Sequence, residues 1–80
     1  REMMLIKLKA TGQHRDEVKR TVDIFRGQIV DVTSSIYTVQ LIGDQGKLDA
    51  FISAIGEAYV LETVRTGVSG IGRGDKVLSI

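Results

Sequence analysis

An α+β domain with two helices on one face of a four-stranded antiparallel sheet is what this chain predicts, from three observations. Four stretches carry apolar residues or β-branched runs of strand type, and two others take helical spacing. Their order is strand, helix, strand, strand, helix, strand. A hairpin signal also sits at the centre, between the two halves.

The first stretch, "MMLIKLKA", alternates cleanly. Met4, Ile6, Leu8 and Ala10 share one face, and Met3, Leu5, Lys7 and Lys9 the other. "TGQH" breaks this pattern. "RDEVKRTVDIFRG" then places Val18, Val22 and Phe25 on one side of a helix. Asp16 and Glu17 lie near its positive end and Arg26 near its negative end, as the helix dipole favours. Gly27 is expected to supply the left-handed residue that stops it.

"IVDVT" and "IYTVQLI", rich in β-branched residues and separated by "SS", read as a hairpin. Tyr37, Val39 and Leu41 face one way, and Ile36, Thr38, Gln40 and Ile42 the other. "GDQGKLDAFISAIGEA" returns to helical spacing, with Leu48, Phe51, Ile52 and Ile55 on one face and Asp44 as N-cap. "YVLETVRT" is the last strand. This order is the ferredoxin-like βαββαβ plan. The expected division is a domain over residues 1–66 and a Gly-rich tail over 67–80.

With both helices on one side, the other sheet face is left open. Met3, Leu5, Ile36, Thr38, Gln40 and Ile42 fall on it, and Leu61 is expected to join them from the last strand. A semi-apolar face of this kind is expected to be covered by a partner.

Composition excludes several function classes. Eighty residues suffice for one small domain, and a net charge of +1 gives no long-range field toward nucleic acid or an anionic membrane. No cysteine is present, so disulfides and thiolate metal sites are excluded. No apolar run is long enough to span a bilayer. The chain starts within an apolar alternation and without methionine, as a piece of a longer protein would.

Motifs for catalysis fail individually. "TGVSGIGRGDKV" has Gly67 and Gly72 at P-loop separation, but Arg73 and Gly74 stand where the lysine and the magnesium-binding hydroxyl belong. A dinucleotide fingerprint from Gly70 meets Asp75 where its third glycine should be. The "RGD" of residues 73–75 reads as a solvated turn. His14 is the lone histidine, expected in a polar loop and exposed or weakly capping. Tyr37, the only aromatic of the central strands, points toward the helices, so the open face lacks an RNA-stacking platform. An acylphosphatase would need an asparagine to orient water, and the chain has none. Asp16 and Glu17 diverge on their helix, and Asp31 and Glu62 have no partner identifiable from sequence. A non-catalytic module with one contact face remains. A free-standing small-ligand or metal-sensing module of the same fold is the alternative.

The segments "REMMLIKLKA", "DEVKRTVDIFRGQIVDVT", "YTVQLIGDQGKLDAFISAI" and "VRTGVSGIGRGDK" together resemble the C-terminal domain of the small, regulatory subunit of acetolactate synthase. The sharpest pieces are "IFRGQIVDV", "KLDAFI", and "RTG" followed by "RGDK". The resemblance implies an ACT-like, ferredoxin-like fold that pairs with its own kind. It also implies no catalysis and no cofactor in this chain, the thiamine diphosphate belonging to the catalytic large subunit. The expected role is to support dimerisation, activation of that subunit and valine feedback inhibition in branched-chain amino acid biosynthesis. Its expected partners are a second copy, the large subunit and the N-terminal ACT domain of its own full-length chain, which holds the effector site. Arg65, Arg73, Asp75 and Lys76 are the candidate contacts of the terminal segment with a partner. A bacterial member would be cytoplasmic, and a plant member plastidic.

Overall fold

The computed structural model describes residues 1–66. Strand β1 (Glu2–Lys9) runs between β3 (Ile36–Gly43) and β4 (Val60–Arg65), and β2 (Gln28–Val32) lies outside β3. All neighbouring pairs are antiparallel. Helices α1 (His14–Ile24) and α2 (Gln45–Ile55) complete the predicted βαββαβ order, and the fold is ferredoxin-like. A short 3-10 turn over Glu57–Tyr59 takes Tyr59 out of the last strand, which begins at Val60.

Burial follows the strand alternation. Met4, Ile6, Leu8 and Ala10 of the first strand and its end are closed to solvent, as are Val39 and Leu41 of β3. Val18 and Val22 of α1 and Leu48, Phe51 and Ile55 of α2 cover them. Phe25 lies just past α1, where its ring meets Phe51 edge-on at 5.4 Å between centroids. This arrangement suits the opposed charges of ring edge and ring face. Arg15 lies over the Tyr37 ring at 4.5 Å and donates to Ala10 O and Ser34 O, which ties the start of α1 to the β2–β3 connection.

Local signals account for most boundaries. Asp44 Oδ1 accepts from the Lys47 N–H at 2.8 Å, which satisfies an amide that the first turn of α2 leaves unpaired. Thr33 holds the hairpin connection: its hydroxyl accepts from Ile36 N at 3.0 Å, and its own N–H donates to Ile36 O at 2.9 Å.

The end of α1 differs from expectation. The left-handed residue is Arg26, at φ 60°, and Gly27 is not in that region. Gly27 serves for space instead. A Cβ there would stand 3.0 Å from Val39 Cγ1 and 3.2 Å from Val22 Cγ1, both within the core. The missing side chain lets Val22 of α1 and Val39 of β3 both close on the backbone where the chain turns into β2.

Candidate interaction face

The pairing register lays out the open sheet face row by row. Ile42 stands opposite Met3. The next row runs Gln28, Gln40, Leu5, Val64 across all four strands. Behind it come Asp31, Thr38, Lys7 and Glu62, and then Ile36 beside Lys9. One end of the face is therefore apolar, built from Met3, Leu5, Ile42 and Val64, and the other is mixed. Leu5 and Ile42 are each 37% exposed and Val64 51%. Met3, Ile36, Thr38 and Gln40 are half-buried by their neighbours.

Charges on this face balance. Lys7 Nζ lies 3.3 Å from Glu62 Oε1, which gives Glu62 a partner that no local pattern in the sequence reveals. Lys9 and Asp31 contribute one charge of each sign. A shallow depression of about 210 Å³ opens between the rows, lined by Leu5, Ile6, Lys7, Thr38, Glu62 and Val64. The face is thus neutral, weakly concave and apolar at one end, suited to a protein surface of like character.

Leu61 falls at an irregularity of the last strand. Lys7 pairs with Glu62 but Leu8 with Val60, so Leu61 is the extra residue of a bulge. The bulge takes Leu61 out of the paired register, and Val64 holds the apolar position opposite Leu5. β2 carries a second bulge, at Val30, between the Ile29 and Asp31 pairings. Both outer strands of the sheet are therefore irregular. Bulges of this kind interrupt the regular ladder on which another strand could pair edge to edge.

Arg65 lies in β4, where its guanidinium is engaged within the domain. Nη1 donates to Asp49 Oδ1 at 2.9 Å, and Nη2 donates to Glu2 Oε1 at 3.1 Å. Bonds from Asp49 first and Glu2 second raise its pKa above the usual arginine value. Arg73, Asp75 and Lys76, with the rest of segment 67–80, lie outside the described residues.

His14 is the first residue of α1, at the helix start where the sequence puts it. Its ring stacks on Tyr59 at 3.9 Å, and Nδ1 is 3.4 Å from Glu17 Oε2. Its Nε2 is buried and has no hydrogen-bond partner among the described residues. Among those residues no group of three or more His, Asp or Glu side chains could hold a metal ion. No described helix is long and apolar enough to cross a membrane.

Fold and face together define a two-layer ferredoxin-like domain whose sheet is left open on the side away from the helices. Comparison with known proteins assigns it more narrowly. A family model described as "Small subunit of acetolactate synthase" matches residues 1–74, and the chain belongs to that family. It is 58% identical over 79 residues to the acetolactate synthase isozyme 3 small subunit of Escherichia coli (strain K12), covering 98% of this chain and 48% of that protein. It is 38% identical over 73 residues to the chloroplastic acetolactate synthase small subunit 1 of Nicotiana plumbaginifolia, covering 91% of this chain and 16% of that one. Among solved structures, an acetolactate synthase small subunit from Thermotoga maritima superposes with a TM-score of 0.77 at 36% identity, covering 82% of this chain and 40% of that one. The chain spans about half the length of the small subunits of Escherichia coli and Haemophilus influenzae that it matches.

Proposed function

We propose that this chain is the C-terminal domain of a regulatory small subunit of acetolactate synthase. In this reading it performs no chemistry, and it helps to activate the catalytic subunit and to make it sensitive to valine. The observation that carries the reading is the 58% identity to an acetolactate synthase small subunit, which holds across 98% of the chain. Thiamine diphosphate is assigned to the catalytic subunit, and the valine site to the N-terminal half of the full-length small subunit.

Within this reading the open face is the surface on which two copies pair. Its charges balance within a single copy, so a second copy can approach without net repulsion. Its apolar end gains most from exclusion of water. The two bulged edges disfavour the competing edge-to-edge pairing and leave the face as the better contact. Met3, Leu5, Ile36, Thr38, Gln40, Ile42 and Leu61 are the contact residues proposed from sequence, with Val64 added by the register.

The test is direct association. The full small subunit, mixed with the matching large subunit, is expected to co-migrate with it in size-exclusion chromatography and to raise its rate of acetolactate formation. Separate elution with an unchanged rate would refute the reading.

A further inference from the structure

The beginning of β1 is held more firmly than the outermost strand residues of a domain usually are. Glu2 already sits in the ladder, opposite Gly43, and its side chain is only 7% exposed. Arg65 reaches it with two nitrogens, Nη2 at 3.1 Å from Oε1 and Nε at 3.4 Å from Oε2. The third nitrogen, Nη1, holds Asp49 of α2. Beside this group the Thr66 N–H donates to Met3 O at 3.0 Å, and the Met3 N–H donates to Thr66 Oγ1 at 3.1 Å.

One guanidinium thus joins the first strand, the last strand and the second helix. Its planar fork can do this because it presents several donors in fixed directions, whereas an ammonium is a point charge. Such a pair is a poor means of gaining stability. Burying a carboxylate costs much of what the ion pair returns, and an apolar contact of similar volume often serves as well. What the arrangement does supply is orientation. With Glu2 fixed to two other elements, a displacement applied before Arg1 is passed to β1, β4 and α2 together, rather than absorbed at a loose first residue.

We propose that Arg65 is a positioning residue, fixing the direction in which the preceding half of the small subunit joins this domain, so that effector binding on that half is felt by α2 and the open sheet. This rests on the reading of the chain as the C-terminal domain of a regulatory subunit.

The experiment uses the full small subunit with its matching large subunit, in wild-type, Arg65→Met, Arg65→Lys and Glu2→Gln forms. Three quantities are read: activation without valine, the valine concentration giving half-inhibition, and the thermal midpoint of the small subunit. Arg65→Met is expected to retain activation while raising the half-inhibitory valine concentration roughly tenfold, within the usual span of coupling between sites. Arg65→Lys, with its charge but not its fork, should recover part of that loss, and Glu2→Gln should shift it in the same direction as Arg65→Met.

An unchanged valine response in both Arg65→Met and Glu2→Gln, even with lowered thermal midpoints, would overturn the proposal and leave a stabilising role only. Should Arg65→Met fail to fold, Glu2→Gln, which preserves side-chain shape, decides the matter alone. A wild-type small subunit that confers no valine response overturns the regulatory reading itself, and this inference with it.

Discussion

Replacing Phe51 with alanine is expected to lower the unfolding free energy by about 3–5 kcal/mol, the usual cost of removing a fully enclosed aromatic ring. Phe51 is 0% exposed at the centre of the core and meets Phe25 edge-on, so the substitution removes both buried apolar surface and a favourable pairing of rings. Native stability is roughly 0.05–0.15 kcal/mol per residue. In so small a domain the change therefore removes a large part of the total. Urea denaturation checks it: the midpoint should fall sharply, leaving a sizeable unfolded population at physiological temperature. A decrease below about 1 kcal/mol would mean that the core closes around the gap, contrary to the close packing of protein interiors.

Leu5→Asp is expected to do the opposite, sparing the fold and breaking the pairing of copies. Leu5 stands between Gln40 and Val64 in the apolar part of the open face, and its side chain has no role in the helix-side core. In a two-fold assembly both copies carry the substitution. At about 2 kcal/mol for each of the two central leucines replaced, the dissociation constant should rise roughly a thousandfold. In analytical ultracentrifugation the unmodified chain is expected to show a two-copy mass and the variant a single-copy mass, with an unchanged circular dichroism spectrum. Persistence of the dimer would place the interface elsewhere on the domain.

The difference between these two residues also shows what periodicity makes legible. Phe51 and Leu5 both fall where periodicity puts them, because a helix stripe and a strand alternation each separate buried from open positions geometrically. Asp44 is equally legible, since a carboxylate directly before a helix has one evident task. Gly27 stands out in the sequence, but for the wrong property. Sequence marks a glycine without saying whether freedom of φ or absence of a Cβ is needed, and here crowding by Val39 and Val22 decides.

The last strand is harder still. Val60, Leu61 and Val64 supply apolar residues in both phases of the alternation, so no parity argument locates the bulge that removes Leu61 from register and puts Val64 opposite Leu5. Pairings between distant parts of the chain are invisible for a simpler reason. Glu2, Asp49 and Arg65 are separated widely in sequence and meet only because β1 lies beside β4 beneath α2. Likewise His14 finds Tyr59 through tertiary packing that no local pattern encodes.

The most direct test of the regulatory role compares two small subunits, one full-length and one truncated just before Arg1, for their effect on acetolactate formation by the matching large subunit with and without valine. Truncation should lower activation and weaken or abolish inhibition by valine, because in the proposed mechanism this domain supports activation and the valine site in the preceding half acts through it. If activation and valine inhibition both survive truncation intact, the domain is not part of a regulatory relay, and the proposed mechanism is wrong.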